Sequence, residues 1–356
     1  MRPELVLFFL LVLDAPTVSA NPPFYTDKSN LLVYKDGSRD IPVQTAADWA
    51  KRRAHILSNM LVVMGEQPKI EKGPLEIKIL EEKKYDKFTR KKIVYTAGPA
   101  DNRVPAYLFI PHGLKGKTPA VLCLHPTSRD LGKGVPAGLG PKYDRAYALH
   151  LAERGYITLA PDYIHSGGEY TFDPYKNGFT SATMLGIWNH RRAVDVLASL
   201  PEVDAENLGV IGHSLGGHNS MFVAAFEPRL KAVVSSCGFC AFPKYMKGNL
   251  KGWSHAGYMP RIIDVYEAKP EKMPFDFTEI TAALAPAAFL AVAPLKDSNF
   301  DVDGVKDCIR AAEPVYKLLG VPEKLHAIYP DAGHDFPDEA RAVAYAWFDR
   351  WLRGMK

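Results

Sequence analysis

Leu208-Gly-Val-Ile211 leads directly into Gly212-His213-Ser214-Leu215-Gly216, and a helix-compatible stretch, Asn219–Phe226, follows. An apolar strand, a tight G-x-S-x-G turn and a helix together form a nucleophile elbow. In so tight a turn, side chains at the two glycine positions would clash. The serine is held in a strained conformation that exposes its hydroxyl at the edge of the sheet. The helix N-terminus beneath it favours negative charge developing nearby. The five-residue pattern carries little weight at ordinary Gly and Ser usage; its flanks give it meaning.

Reading outward, apolar strand-like runs recur at Ala120–Leu124, Tyr156–Ala160, Asn207–Ile211, Lys231–Ser235, Ala287–Ala293 and Lys324–Tyr329. Helical stretches lie between them or follow them: Tyr143–Arg154, Ser181–Leu200, Val305–Leu319 and Asp338–Leu352. The runs are apolar throughout rather than alternating. Strands of that kind interleaved with helices predict an α/β fold with a mostly parallel central sheet flanked by helices on both faces. Upstream, Leu75–Leu80, Lys92–Thr96 and Val104–Ile110 read as antiparallel strands. The charge run Glu81–Lys87 reads as a solvated hairpin end. Ala46–Met64 has helical spacing, ended by Gly65 and Pro68. Residues 21–45 read as an extended arm, and 241–280 interrupt the alternation as a small insertion or cap. The expected division is a signal peptide, 1–20, and a single domain, 21–356, whose residues 21–74 form the N-terminal arm and helix.

The composition supports a globular chain: 356 residues, 47% hydrophobic and 24% charged, which excludes a disordered or coiled-coil protein. The net charge is +4 with no long basic block, so nucleic acid is not an expected partner. Arg2, the apolar run Leu5–Leu13 and the small residues of Val18-Ser19-Ala20 match an export signal cleaved after Ala20. An exported protein, periplasmic or secreted, is expected. No second long apolar run exists, so no membrane span is expected after cleavage. Four cysteines are too few for a disulfide scaffold in a chain of this length. Cys237-Gly-Phe-Cys240 follows a strand rather than opening a helix, so it reads as structural, with a local disulfide as one form of that role.

A serine hydroxyl needs a base. Among eleven histidines, His334 lies late in the chain, in a turn directly after a strand, with Gly333 before it. His213 would point away from the hydroxyl, His125 belongs nearer an oxyanion, and His326 reads as packed within its strand. The base needs an orienting carboxylate. Asp297, in the loop beyond the strand Ala287–Ala293, is the first choice, with Asp301 and then Asp303 behind it. Asn299–Gly304 resembles the opening of a calcium loop, but Arg310 stands where such a loop wants Glu. No metal and no cofactor is assigned. The Leu215 amide should give one oxyanion-hole donor. Thr127 should give the other, since Pro126 has no N–H. The Gly-rich stretch Gly132–Gly140 lacks G-K-[ST] and reads as pocket wall. In the insertion, Trp253 and Tyr258 are candidates for stacking on a sugar ring and Arg261 for meeting a carboxylate. Packing of those aromatics onto the sheet is the competing reading. Glu169, Tyr170 and His190 are further residues that could border the pocket.

Gly-His-Ser-Leu-Gly-Gly-His at 212–218, Leu-His-Pro-Thr at 124–127, Ala-Pro-Leu-Lys-Asp at 293–297 and Asp-Ala-Gly-His at 331–334 resemble the α/β-hydrolases of the dienelactone-hydrolase and acetyl-xylan-esterase-like group. The resemblance covers about 46–354. It implies an eight-stranded, mostly parallel sheet with Ser, Asp and His at strand ends. Dienelactone hydrolases use Cys where this chain has Ser214, which favours ordinary ester cleavage over lactone opening. The expected function is a serine hydrolase that cleaves carboxylic esters through an acyl-enzyme, with a small-molecule or carbohydrate ester as substrate and deacetylation of carbohydrate esters as one form. Two alternatives stand beside it. A serine peptidase of the prolyl-oligopeptidase-like group would want a propeller that the residues before the main sheet cannot build. An inert binding module on the same fold would not need complete Ser, Asp and His candidates.

Overall fold

In the computed structural model the described residues are 21–66, 73–98, 101–128 and 130–355. The expected signal, 1–20, lies outside them. The strands are β1 (Val33–Asp36), β2 (Arg39–Pro42), β3 (Ile77–Lys84), β4 (Phe88–Thr96), β5 (Arg103–Pro111), β6 (Thr118–Leu124), β7 (Ile157–Pro161), β8 (Val203–His213), β9 (Leu230–Ser236), β10 (Ala288–Val292) and β11 (Leu325–Ile328). The helices are α1 (Ala46–Met64), α2 (Tyr147–Glu153), α3 (Ala182–Ser199), α4 (Leu215–Phe226), α5 (Arg261–Asp264), α6 (Phe277–Ala283), α7 (Val302–Leu318) and α8 (Asp338–Arg353).

Among the described residues the main sheet has nine strands, in the order β11-β10-β9-β8-β6-β7-β5-β4-β3. From β11 to β7 the pairings are parallel, and β5, β4 and β3 add antiparallel. The chain leaves β6 for β7 on one side and returns to β8 on the other. The carboxyl ends of β6 and β8 therefore flank the switch point where ligands gather in open α/β sheets. Along each central strand, neighbouring residues join different cores. Leu122 and Leu124 pack with α1, α3, α4, α6 and α7, while Val121 and Cys123 pack with α2 and α8. Burial on both faces is why these strands read as unbroken apolar runs.

Several expectations need correction. The sheet has nine strands, not eight, because β3 extends it by an edge strand exposed at every position. That strand runs through Glu81–Lys84, so most of the charge run is strand with the turn beyond it; charge at an open edge is tolerated because it faces water on both sides. The arm at 21–45 contains the hairpin β1–β2, too short to show a period. The helix expected from Tyr143 breaks at Ala146 into a 3-10 turn, Tyr143–Arg145, and α2. His326 is exposed on edge strand β11, its ring stacked against Trp347. The segment 241–280 holds 3-10 turns and α5 and leads into α6.

Local sequence sets the helix starts. Thr45 accepts from Asp48 N–H at 3.2 Å and Asp48 accepts from Thr45 N–H at 3.2 Å, a capping box. Ser181 caps α3 through Met184 N–H at 3.0 Å. Arg52 of α1 meets Glu279 of α6 at 2.5 Å, both fully buried, and lies over the Tyr25 ring. This pair ties the N-terminal layer to the segment entering β10. Among the described residues no helix is long and apolar enough to cross a membrane.

Candidate active site

Ser214 joins β8 to α4 with φ +56° and ψ −116°, a left-handed conformation rare for a side-chain-bearing residue. Close approach on both sides forces the turn. A Cβ on Gly212 would stand 2.1 Å from the Gly216 backbone, and one on Gly216 would stand 1.9 Å from Leu124 O. α4 begins at once, at Leu215 rather than at Asn219. The Leu215 N–H therefore belongs to the first turn, where no intrahelical carbonyl is available, and it remains open to a ligand.

His334 follows β11 and Asp297 follows β10. The Ser214 hydroxyl donates to His334 Nε2 at 2.9 Å, and His334 Nδ1–H donates to Asp297 Oδ2 at 2.9 Å and Oδ1 at 3.0 Å. An ionised carboxylate can only accept, so Nδ1 carries the proton and Nε2 is left free to accept. The Asp297 side chain is 1% exposed. Burial opposes its charge, but the His334 contact and the N–H groups of Asn299 at 2.8 Å and Phe300 at 3.2 Å outweigh that and hold its carboxyl below the ordinary range. The reserve acids are not part of the arrangement: Asp301 caps α7 and, like Asp303, is exposed.

His213 is fully buried, bonded through Nδ1 to Ser236 Oγ at 3.0 Å, with its ring 5.0 Å from that of His334. Burial drives its pKa well down, so it stays neutral. His125 Nδ1–H donates to Pro126 O at 2.7 Å, and its Nε2 accepts Tyr163 N–H at 2.9 Å. It thereby holds the loop that carries Thr127. Thr127 itself is exposed, beside the Tyr258 hydroxyl. The Gly-rich stretch folds against Asp162, which accepts Lys133 N–H at 2.8 Å, Lys133 Nζ at 2.7 Å and Glu169 N–H at 2.9 Å. A Cβ on Gly132 or Gly168 would strike that carboxylate. Glu169 pairs with Lys92 and Lys133, Tyr170 is buried against Asn102 and Asn189, and His190 is buried.

Trp253 is 2% exposed, packed among Phe242, Tyr245, Phe277 and Phe300. The structure makes it core rather than a sugar platform, because its flat apolar area is what holds the insertion onto the sheet. Arg261 opens α5, which packs against α1 and the turn Leu250–Trp253. Of the three insertion candidates, Tyr258 is the one tied to the loop after β6.

Sequence reasoning missed Cys237. All four cysteines are free and buried, so Cys237 and Cys240 form no disulfide. The Cys237 thiol donates to Asp335 O at 3.2 Å and adjoins the Asp297 carboxylate; burial first, then that negative charge, pushes its pKa well up. Among the described residues the one group with metal-ligand spacing is Cys237, Asp297 and His334. Its atoms are engaged in these hydrogen bonds within the protein.

The family model described as "Glucuronyl esterase, fungi" matches residues 162–320, which include Ser214 and Asp297 and stop short of His334. A glucuronoyl esterase from Solibacter usitatus superposes with a TM-score of 0.70 at 18% identity, covering 93% of this chain and 99% of that one. The chain has the α/β-hydrolase fold. A glucuronoyl esterase of carbohydrate esterase family 15 from Caldicellulosiruptor kristjansonii shares this fold at a TM-score of 0.67 and 18% identity, over 92% of this chain and 91% of that one. In sequence, the chain is 25% identical over 260 residues to a Bacillus subtilis protein named as a hydrolase (YtaP), covering 70% of this chain and 84% of that one. It is also 25% identical over 200 residues to 4-O-methyl-glucuronoyl methylesterase 1 of Wolfiporia cocos, covering 51% of this chain and about half (49%) of that relative.

Proposed function

We propose that this hydrolase is a serine esterase acting on carbohydrate esters, with Ser214 as nucleophile, His334 as base and Asp297 as its orienting acid. The observation that carries the reading is His334, with Nε2 2.9 Å from Ser214 Oγ and Nδ1 2.9 Å from Asp297. Ser214 attacks the ester carbonyl while His334 takes its proton. The imidazolium so formed is steadied by Asp297, and the oxyanion is met by the Leu215 and Thr127 amides. The alcohol leaves with the proton from His334. Water, activated by the same imidazole, then releases the acid and restores Ser214.

The named relatives favour esters in which the sugar is the acid partner, a glucuronoyl ester, over acetyl groups carried on a sugar hydroxyl. We place the enzyme outside the cytoplasm, on the strength of residues 1–20. Neither the fold nor the relatives favour the peptidase or the inert module. The test is hydrolysis of an alkyl glucuronate, an acetylated xylan and p-nitrophenyl acetate by the wild type and by Ser214→Ala. Turnover of the glucuronate, lost in the variant, is expected. Undiminished ester cleavage by Ser214→Ala would overturn the assignment, and activity on acetyl groups alone would overturn the choice of acid.

A further inference from the structure

His334 stands in a loop without regular structure, and its side chain bonds do not by themselves fix that loop. One flank is tied to the loop after β10: Leu295 N–H donates to Pro330 O at 2.9 Å and Lys296 N–H to Ala332 O at 3.0 Å. The other flank is held from elsewhere. Arg145, at the end of the turn Tyr143–Arg145, donates from Nη2 to the His334 carbonyl at 3.2 Å. The same nitrogen lies 3.5 Å from Asp335 Oδ1, and Arg145 Nε lies 3.9 Å from Asp144 Oδ2. Asp144 and Asp335 also meet each other directly. Two carboxylates cannot hydrogen-bond without a proton between them. Asp335 Oδ1 is buried with no hydrogen-bond donor at proper geometry, so a protonated Asp144 is the neighbouring group able to serve it.

We propose that Arg145 is a positioning residue for His334, and that Asp144 and Asp335 lock the Arg145 turn to the histidine loop by sharing one proton. The proposal rests on the reading of His334 as the base. Arg145 fixes the main chain of His334 itself, so its loss lets the imidazole drift from Ser214 while the substrate pocket stays intact. The lock is sensitive to pH. Burial, then the bond to Asp335 and its charge, raise the Asp144 pKa to about 6, against Arg145 and Lys142, which lower it. The bond from Asp144 holds Asp335 down at about 2. The other titratable groups facing this cluster are His334, buried His213 at the end of β8, Cys237 after β9 and Tyr147 on α2. Below about pH 6 the pair carries one negative charge and a hydrogen bond. Above it, two negative charges surround Arg145.

The experiment is kcat and KM for p-nitrophenyl acetate from pH 5 to 9, on the full chain, for the wild type, Arg145→Ala, Arg145→Lys, Asp144→Asn and Ser214→Ala. Arg145→Ala should lower kcat by about 10- to 100-fold with KM little changed, the cost of a misplaced base. Arg145→Lys should recover part of that, since it keeps a cation and one donor. The acid limb of the kcat/KM profile should move in opposite directions: to higher pH when the Arg145 cation is removed, and to lower pH when Asp144→Asn cannot ionise. Thermal unfolding midpoints identify a variant that fails to fold; should Arg145→Ala do so, Arg145→Lys and Asp144→Asn carry the test. Unchanged kcat in the Arg145 variants, or an acid limb that ignores Asp144→Asn, would overturn the proposal. Activity retained by Ser214→Ala would instead mean that the esterase reading beneath it had failed.

Discussion

The thiol of Cys237 donates to the main-chain carbonyl of Asp335, 3.2 Å away, from a residue that itself holds φ +48°. It thus links the end of β9 to the residue after His334 and touches Asp297 on the way. Cys237→Ser keeps a donor and should stay within about twofold of wild type. Cys237→Ala should lose about fivefold in kcat/KM, the equivalent of one buried hydrogen bond of about 1 kcal/mol. Steady-state kinetics on p-nitrophenyl acetate decide it, and equal rates for both variants would show the thiol to be packing alone.

Asp297→Asn should reduce kcat by about 10^3- to 10^4-fold, because an amide facing Nδ1 favours the wrong imidazole tautomer. Asp301→Asn should leave the rate within about twofold, since it preserves an N-cap and touches nothing reactive. A comparable loss in both variants would mean the acid has been assigned to the wrong residue.

Trp253 and Tyr258 should separate by assay. Trp253→Ala empties a site ringed by aromatics and should cost about 3–5 kcal/mol of stability, read from the urea midpoint. Tyr258→Phe removes a hydroxyl beside Thr127 and should leave that midpoint nearly unchanged while altering kcat or KM. A kinetic effect without loss of stability in Trp253→Ala would return the tryptophan to the substrate site.

Asp276 caps α6 from a buried position, accepting N–H from Phe242 at 2.8 Å and Phe277 at 2.6 Å. Burial raises its pKa to about 7 despite those donors. The folded state then holds a proton that the unfolded chain releases near pH 4, so stability falls as pH rises from about 4 to 7, by at most about 4 kcal/mol. Asp276→Asn keeps the acceptor without the charge and should flatten that slope in urea unfolding at pH 5 and 8. An unaltered slope would assign the pH dependence to another group.

Burial raises the Glu279 pKa, opposed chiefly by the Arg52 guanidinium, with which it forms a pair cut off from water. Arg52→Met alone should cost about 3–5 kcal/mol, because it strands a buried carboxylate. Arg52→Met with Glu279→Leu should recover most of it. Thermal unfolding of the three proteins checks the cycle, and a double variant as weak as the single would contradict it.

The legible parts of this molecule were those with a local signature. The elbow can be read because Gly212 and Gly216 have no alternative where backbone meets backbone, and because β8 is apolar on both faces. His334 and Asp297 could be read from their places after strands. What could not be read depends on contacts between segments distant in the chain. Arg145 meets a carbonyl 189 positions away, and Cys237 one 98 positions away. No local pattern marks either residue. Trp253 was ambiguous for another reason: a large aromatic suits a core and a sugar platform equally, and only its burial distinguishes them. The hairpin β1–β2 escaped notice because short strands carry little periodicity, and edge strand β3, expected at Leu75–Leu80, runs on to Lys84 through charges that read as a solvated turn.

The buried pair between α1 and α6 also governs timing. Arg52 and Glu279 lie 227 residues apart. At about 5–20 residues per second, roughly 10–45 s pass on the ribosome between the synthesis of one and that of its partner. Throughout that interval α1 can dock on β1, which is made before it, but Arg52 is without the buried carboxylate that completes its seat. Any factor that engages the nascent chain to keep it unfolded has that whole interval in which to act.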